Sequence, residues 1–512
     1  MTRPQLPRLV RVPDTDSLSE EGAPKALVLP STSMRNPVPA HDELYSKPIF
    51  PDTYSSIVVV KMIRNMEHLS KPLASLSQTS LHWSSRLGRR SLPLPVRYYS
   101  QARTGPKVAV IGEARDQGGS LDLHPDGGQA ALKLAGLFPQ FQALSRPEGE
   151  VLKIYLPDGK LIMDEGSDPE TQGRPQEMHN RPEIDRRLLR KMLLDSLEPG
   201  TVKWGTKVKT IQTKKVGARE VFSIQVEAHE ETRDDRLLLD YDLVVGADGA
   251  FSRVRHLLTP ARPYFSGIAG LDVRISSADT SRPAQVSRCG KGMCLTLGPN
   301  RGILSQRSGG GAGEVRTYAF VRMASEGLGS DWESKCGIDF RNMKTAIPQF
   351  LHKFYSGWDE GARDMVLNAD VETATPRSMW MLEPGLKWET RPGVTLLGDA
   401  AHVMTPFAGV GVNVAMQDSL FLAQRILAHL SSDARDPSMA QAIKEYESEM
   451  FERAEQHAKQ TLMYLDLFFH NRGGVAMVEH FDKVKAEEKA ASAYSRGESE
   501  NETGQAQVAA SG

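Results

Sequence analysis

The chain has 512 residues, enough for one large or two ordinary domains, and its 63 basic and 64 acidic side chains give a net charge of −1. This balance gives no support for binding to nucleic acid or to a membrane surface. The 3 cysteines have no zinc-binding spacing and are odd in number, which favours a reduced intracellular protein over a disulfide framework. No apolar run approaches the roughly 18 residues that a membrane helix needs.

Both ends of the chain differ in composition from the middle. Residues 1–106 join a Pro- and Ser-rich start to an arginine-rich, acid-poor stretch that is typical of a mitochondrial transit peptide. A basic disordered linker is the alternative, because this stretch does not stand at the N-terminus. We therefore expect a cytoplasmic protein, or a mitochondrial one if translation starts at Met62 or Met66. Residues 481–512 are polar and predict a disordered tail.

The folded body shows strand and helix patterns that follow one another along the chain. The first four are a strand at "KVAVIG" (107–112), a helix at "PDGGQAALKLAGLFPQF" (125–141) capped by Asp126, a helix at "RPEIDRRLLRKMLLDSL" (181–197) and a strand at "REVFSIQVEA" (219–228). The helix at 181–197 is predicted from apolar residues at helical spacing, and the strand at 219–228 from their alternation.

The second half of the body continues this alternation. The patterns predict a strand, tight turn and helix at 239–258, short strands between 290 and 323, a strand, loop and long helix at 393–430, and a last helix from near Asp436. Strands that alternate with helices predict an α/β fold, and the short strands predict a second, β-rich domain.

The turn in "VVGADGAFSRVR" (244–255) is the first that could carry chemistry. A buried strand delivers Asp248 and Gly249 to its carboxyl end, where open α/β sheets bind ligands. Glycines at this place let the backbone approach a phosphate. The alternative is an ordinary strand-to-helix turn with Ser252 as its cap.

The turn in "LLGDAAHVMTPFAGVGVNVAMQDS" (396–419) is the second. Gly398 ends a strand, and Asp399 can accept hydrogen bonds from sugar or ribityl hydroxyls. Pro406 and Gly409 predict a rigid loop that can lie against a flat ring, and the following helix points its positive end at the same place. We interpret His402 as a packed or surface histidine rather than a catalytic one.

The stretch "VAVIGEARDQGG" (108–119) begins like the first strand of a dinucleotide-binding fold. Such a strand continues as G-x-G-x-x-G and opens a helix. Here Gly112 is followed by Glu113 and Ala114, with no second glycine in register. The phosphate-binding turn is therefore predicted to be incomplete.

These segments together resemble the class A flavoprotein monooxygenases of the para-hydroxybenzoate hydroxylase fold. The chain is most similar to the tetracycline-inactivating branch and its fungal relatives. The resemblance is carried by "GADG", "LLGDAAHVMTPFAGVGVN", "ARDQGGSLDLHPDGGQAALKLAGL" and "RPEIDRRLLRKMLLDSL", which match the family in order. Roughly 30 residues of the family's first βαβ unit are absent after Gly112.

The resemblance implies a fold class and a domain order. The fold is α/β, with a truncated Rossmann-like FAD-binding domain of the glutathione-reductase type, an inserted antiparallel β-sheet substrate domain and a C-terminal helix. The implied order is an N-terminal extension (1–106), the first part of the FAD-binding domain (107–264), the substrate domain (265–380), the second part of the FAD-binding domain with C-terminal helices (381–480) and the tail (481–512).

The resemblance also implies the cofactor and the residues that hold it. The cofactor is FAD, and NADPH or NADH is the co-substrate. The residues that would contact FAD are Gly112, Asp122, Arg186, Asp248, Gly249, Gly398, Asp399, Pro406, Gly409, Val412 and Asn413. The substrate would lie over the inserted sheet, lined by Asp272, Met293 and Trp380. Gly292 stands where some relatives place a substrate-binding arginine, so their substrate is not carried over.

The implied reaction is the hydroxylation of an aromatic or polyketide-like small molecule by O₂ through a flavin C4a-hydroperoxide. No side-chain nucleophile and no metal are required, because the cofactor supplies the chemistry. We expect a monomer with no nucleic-acid or membrane partner. Three interpretations remain open: a hydroxylase whose exons are wrongly joined in this chain, an FAD-deficient pseudoenzyme or small-molecule-binding protein, and a structural or interaction protein.

Overall fold

The computed structural model describes residues 108–112, 119–167, 181–199, 201–202, 207–217, 219–227, 239–309, 313–431, 439–487 and 489–490. The predicted N-terminal extension and most of the predicted tail lie outside the described residues.

The strands follow the chain in this order: β1 Val108–Gly112, β2 Ser120–Asp122, β3 Leu152–Tyr155, β4 Leu161–Asp164, β5 Glu183–Asp185, β6 Lys207–Val216, β7 Arg219–Glu227, β8 Leu239–Tyr241, β9 Leu243–Ala247, β10 Tyr264–Ser276, β11 Met293–Gly298, β12 Arg301–Ser308, β13 Glu314–Arg322, β14 Thr375–Met381 and β15 Val394–Leu396. The α-helices are α1 Gly128–Leu134, α2 Phe138–Leu144, α3 Arg186–Asp195, α4 Ala278–Ser281, α5 Pro283–Cys289, α6 Trp332–Lys335, α7 Met343–Phe354, α8 Glu360–Leu367, α9 Asp399–His402, α10 Gly411–Ser431, α11 Ala440–Phe468 and α12 474–487.

A small parallel sheet carries the two predicted turns. Its order is β1-β9-β15, with Val245 of β9 level with Val110 of β1 and Thr395 of β15. Strands β9 and β15 are completely buried, as expected for a parallel strand covered on both faces. Because parallel strands end at the same edge, the turns at 248 and 398 lie side by side.

A seven-stranded sheet forms the second β-rich unit, as predicted. Its order is β14-β10-β13-β12-β11-β3-β4, antiparallel except where β11 runs parallel to β3. Strands β3 and β4 come from the chain before residue 265, so the sheet extends beyond the predicted insertion. They join the sheet where Leu152 pairs with Met293 and Ile154 pairs with Leu295, and Ile154 is buried in the core.

The two faces of this sheet pack against different partners. One face, with Val273, Ile303 and Ala319, buries against α5 and the helices from α6 to α8. The other, with Leu295, Phe320 and Met379, faces α11, α12 and Phe407. We call this second surface the site-facing sheet surface, because it meets the loop after the second predicted turn.

Several predicted helices are shorter than the sequence pattern indicates. The helix at 125–141 is two helices, α1 and α2, separated at Gly136, whose φ is 71°. Its N-cap is Gly127 rather than Asp126, so no side-chain hydrogen bond caps the helix. Segment 181–197 opens as strand β5 before helix α3. After the turn at 248 a single 3-10 turn, Arg255–Leu257, stands in place of the predicted helix.

The C-terminal helices are α11 and α12. Helix α11 begins at Ala440, and residues 432–438, where we expected its start, are outside the described residues. Helix α12 continues to residue 487, past the predicted tail boundary at 481, because Phe481 packs with Met477 against the core. In the described part of the chain, no helix has both the length and the apolarity required to cross a membrane.

Candidate functional site

Arg255 joins the two turns at the edge of the parallel sheet. Its guanidinium Nε donates to the carbonyl oxygen of Ala400 at 2.7 Å, and its Nη2 donates to that of Asp399 at 3.0 Å. Burial lowers the pKa of Arg255 to about 10, against the opposing pull of Asp248 and Asp399, so it stays charged at neutral pH. The sequence reasoning missed this residue, although its place seven residues after Asp248 in the quoted motif was a usable signal.

The carboxylate of Asp248 caps its own turn. It accepts hydrogen bonds from the Ser252 hydroxyl at 2.5 Å and from the Arg253 backbone N–H at 2.7 Å. Burial raises the pKa of Asp248, and these donors oppose the rise. Ser252 in turn accepts from the Arg255 backbone N–H at 3.0 Å. The predicted alternative, a helix capped by Ser252, is not found, because the 3-10 turn that follows has Val254 at its N-cap and no side-chain cap hydrogen bond. Gly249 beside Asp248 has a φ of 77°.

The buried carboxylate of Asp418 holds the second turn in place through contacts with Gly398 and His402. It accepts hydrogen bonds from the Gly398 backbone N–H at 2.9 Å and from Arg453 Nη2 at 2.7 Å, and it lies 2.6 Å from His402 Nε2. Burial opposes ionisation of Asp418, but His402 and Arg453 outweigh it and hold its pKa below the usual range. His402 is thus a buried, paired residue, as we interpreted it.

Gly398 and Asp399 begin helix α9 at the carboxyl end of β15. Gly398 has a φ of 57°, a left-handed value that favours glycine at this position. Asp399 is half-buried, and its backbone carbonyl holds the Arg255 side chain. Both residues therefore lie at the sheet edge where the sequence predicted a cofactor contact.

The loop 406–413 lies between this turn and the site-facing sheet surface. Phe407 packs against Phe468 and Phe469 with ring centroids 5.0 and 5.3 Å away, which anchors the loop to the end of α11. Gly409 has a φ of 69°, and a methyl group added at Gly411 would meet no atom within 4 Å. The loop therefore borders open space at the N-terminus of α10.

Asn413 holds the segment 122–128 against the same helix. Its Oδ1 accepts from the backbone N–H groups of His124 at 2.8 Å and Gly128 at 3.1 Å, and its Nδ2 donates to the Asp122 carbonyl at 3.0 Å. The Asp122 carboxylate pairs with the His124 imidazole at 3.0 Å. The structure thus brings Asp122, Gly409 and Asn413 together, with the Asn413 amide used by the protein itself.

Arg186 and Glu183 extend the site on the side of strand β5. The Arg186 backbone N–H donates to the Gly119 carbonyl at 2.9 Å. Burial raises the pKa of the Tyr318 phenol, while the charges of Arg316 and Arg186 oppose the rise, so Arg186 lies near the site-facing sheet surface.

Glu183 is a buried carboxyl group that the sequence reasoning did not single out. Arg146 Nη2 donates to its Oε2 at 2.8 Å, and Gln306 Nε2 donates to its Oε1 at 3.1 Å. Burial raises the pKa of Glu183 to about 8 in spite of the Arg146 charge. The alternation in "EID" was the available signal, because it directs both acids of β5 to one face and Ile184 into the core.

The three residues predicted to line the substrate do not form one cluster. Asp272 is held by Arg316 in a bidentate ion pair at 2.9 and 2.7 Å, with Arg377 Nε at 3.4 Å. Trp380 packs edge-on against Phe251 and Phe265. Met293 on β11 and Trp380 on β14 are separated by four strand spacings, about 19 Å. A small molecule cannot contact all three through one ring.

The middle of the site-facing sheet surface is partly open. Met293, Leu304 and Tyr318 are half-buried there, between the fully buried Leu295 and Phe320. We call the half-buried residues Met293, Leu304, Tyr318 and Arg377 of this surface the central patch. It is apolar towards β11 and cationic towards β14.

Gly292 is required by backbone packing. A methyl group added there would lie 2.2 Å from the Val151 carbonyl oxygen and 2.3 Å from that of Gly149. No side chain, and therefore no arginine, fits at this position.

The comparisons with known proteins agree with this geometry. The family described as FAD binding domain matches residues 363–461, which include the second turn and loop 406–413. Monooxygenase asqM of Emericella nidulans is 30% identical over 392 residues, covering 69% of this chain and 86% of that protein.

Two solved structures show the fold. Tetracycline destructase Tet(51) aligns with a TM-score of 0.53 and 16% identity, over 85% of this chain and 93% of its own. Klebsiella pneumoniae HpxO, complexed with FAD and uric acid, aligns with a TM-score of 0.53 and 17% identity, over 74% of this chain and 86% of its own. The predicted fold class is confirmed, and the match to asqM adds the activity class. The chain belongs to the class A FAD-dependent monooxygenases.

Proposed function

We propose that this chain hydroxylates an aromatic or polyketide-like small molecule with O₂, using NADPH or NADH as the reductant of its flavin. The observation that carries the proposal is the position of the two turns: Arg255 joins them at the sheet edge, and loop 406–413, which follows the second turn, packs through Phe407 against the site-facing sheet surface. A cofactor held by the turns can therefore reach a substrate on the site-facing sheet surface.

The ring end of a flavin fits the residues present. Loop 406–413 borders open space, and the first N–H groups of α10 have no acceptor within their own helix, so they can donate to ring oxygens. The positive end of the same helix favours negative charge on the ring. Asp399 would accept hydrogen bonds from the ribityl hydroxyls, and Arg186 would lie at the outer side of the ring. When bound, the flavin supplies hydride acceptance and oxygen activation.

The chemistry of the central patch favours a flat substrate that carries oxygen atoms. Met293 and Leu304 offer an apolar floor, and Tyr318 and Arg377 offer hydrogen-bond donors at the other end. Asp272 would act indirectly, by holding Arg316 and Arg377 in place. In relatives of the same fold, HpxO is bound to uric acid, a flat heterocycle with several oxygens.

A turnover assay tests the proposal. The purified chain is supplied with excess FAD and with NADPH or NADH, and oxygen uptake is measured against a panel of phenols, quinolones and polyketide aromatics. We expect at least one compound to stimulate reductant oxidation and to gain one oxygen atom by mass spectrometry. A folded, flavin-loaded protein that hydroxylates none of the panel and shows no ligand-dependent change in flavin absorbance would contradict the proposal.

A second candidate function is supported by the incomplete phosphate turn. A chain that holds no flavin could function as a small-molecule-binding protein that uses the central patch alone. The same compounds, tested by thermal shift without flavin, separate the two functions: stabilisation without any flavin binding would favour the second.

A further inference from the structure

Among the described residues, the FAD site is formed on one side and incomplete on the other. The sequence passes from Gly112 to Glu113, Ala114 and Arg115, so the glycines that would follow in a dinucleotide turn are missing. A complete unit also supplies a helix N-terminus for the pyrophosphate and an acid, about 20 residues after the glycines, for the adenosine ribose.

The structure of β1 agrees with the missing unit. Within the described residues, β1 pairs with β9 and with no strand on its other side. Residues 108–111 are half-buried and Gly112 is exposed, whereas β9 and β15 are completely buried. In a complete βαβ unit a helix and a further strand would cover β1. The surface that would bind the adenosine half is therefore not formed by the described residues.

The other half of the site is held by buried contacts that do not involve β1. Asp418 fixes the Gly398 backbone, Arg255 fixes the carbonyls of Asp399 and Ala400, and Asn413 fixes the start of α10. These contacts join β15, α9, α10 and α11 to the first turn. Loss of the unit after β1 therefore leaves the ring-binding and ribityl-binding residues in place.

We propose that this chain binds flavins through the isoalloxazine ring and the ribityl chain alone, so that it accepts FMN and riboflavin as well as FAD. The inference rests on the proposed function, because it takes loop 406–413 and Asp399 as the flavin contacts. The adenosine half of FAD then contributes no binding contact, so FAD and FMN bind with similar affinities. The site also becomes a weak one, open to exchange with free flavin.

Equilibrium titration tests the inference on the full chain. Riboflavin, FMN and FAD are each titrated with protein, and binding is followed by flavin fluorescence anisotropy and by calorimetry, with ADP as a competitor. We expect the dissociation constants of FMN and FAD to agree within about threefold, and millimolar ADP to leave both unchanged. A preference for FAD of about tenfold or more, or displacement of FAD by ADP, would overturn the inference.

A pair of variants assigns the binding to the proposed residues. Asp399→Asn should weaken FMN and FAD by the same factor, about tenfold for a lost charge-assisted hydrogen bond. Asp339→Asn, on an exposed loop, is the matched control and should leave both affinities unchanged. If Asp399→Asn weakens FAD and leaves FMN unaltered, the shared half-site is wrong.

The failure of the inference is distinguishable from that of the proposed function. Tight binding of FAD without binding of FMN overturns the half-site and leaves the flavin enzyme intact. A protein with native circular dichroism and a cooperative melting transition that binds none of the three flavins overturns both.

Discussion

Two buried side chains, Asp418 and His402, and the half-buried Arg453 form a network beside the second turn. Asp418 is 0% exposed and faces Arg453, His402 and the Gly398 backbone, while the Arg453 guanidinium also lies over the Phe421 ring at 4.8 Å. Burying ions costs free energy, and the loss is recovered only when each is paired and hydrogen-bonded. This network therefore depends on every one of its members.

Asp418→Asn should destabilise the fold and loosen the second turn. The amide keeps the size of the side chain but leaves the Arg453 charge buried without its partner, which costs about 3 kcal/mol. Chemical denaturation should show the loss, and flavin titration should show weaker binding because the Gly398 turn is less fixed. The exposed control Asp339→Asn should change neither. An equal denaturation midpoint for Asp418→Asn and the unmodified chain would mean that Arg453 finds another partner.

Glu183 gives the fold a second, pH-dependent feature. Its pKa is about 8 when folded, raised by burial with Arg146 opposing, and 4.5 when unfolded. Between these values the folded chain holds a proton that the unfolded chain releases, so the contribution of Glu183 to stability is greatest below pH 4.5 and falls as pH rises towards 8. The maximum slope is about 1.4 kcal/mol per pH unit for one proton.

Glu183→Gln should remove this contribution, since the amide does not titrate. Gln306, Ser120, Arg146 and Asp122, which surround the carboxyl group, stay as they are. Urea unfolding at pH 5, 6, 7 and 8 is the measurement, and the variant should show a flatter profile than the unmodified chain. Parallel profiles would mean that Glu183 is ionised in the folded state and that Arg146 outweighs burial.

At the scale of elements, the sequence predicted where structure occurs better than where it ends. Apolar spacing identified the helix within 181–197 and the strand at 219–228, because both bury an apolar face in the same core. It merged α1 and α2, because the break depends on the left-handed backbone of Gly136 rather than on hydrophobicity. It also gave a helix after Asp248, where the carboxylate instead caps a single turn.

Asn413 is the contact that joins two such elements. A methyl group on Gly127 would lie 2.8 Å from Asn413 Cβ, so the start of α1 approaches α10 closely. Asn413→Ala should leave the backbone N–H groups of His124 and Gly128 without acceptors, at a cost of about 1–3 kcal/mol. Hydrogen exchange at 122–128 should accelerate.

The matched control lies one turn further along the same helix. Gln417 donates to the Asp126 carbonyl at 2.9 Å, but this contact is exposed. Gln417→Ala should leave exchange at 122–128 nearly unchanged, since water can replace the side chain. Equal acceleration in both variants would assign the effect to helix α10 as a whole rather than to the buried amide.

At the scale of the whole molecule, local patterns predicted strands of the parallel sheet and of the seven-stranded sheet, but not all of their members. The short strands between 290 and 323 were recognisable from alternation and turn residues. Strands β3 and β4 were not predicted, and their place in this sheet depends on the pairing of Met293 with Leu152, which joins residues far apart in sequence. The candidate flavin residues came from motifs, while Arg255, Asp418 and Glu183 act through contacts that only the folded chain displays.

Restoring the missing unit should change cofactor choice more than it changes the fold. A segment of about 30 residues inserted between Gly112 and Glu113, with G-x-G-x-x-G, a helix, a strand and the ribose acid, would cover β1 and form the pyrophosphate site. FAD affinity should rise by about 100-fold, equivalent to about 2.7 kcal/mol, while FMN affinity stays within a few-fold. The protein should then purify yellow, whereas the unmodified chain should purify largely colourless.

A Gly-Ser linker of equal length is the control and should leave the ratio of FAD affinity to FMN affinity near one. If the linker raises FAD affinity as much as the designed unit does, the gain comes from relieving the short connection after β1 rather than from new contacts to the adenosine half.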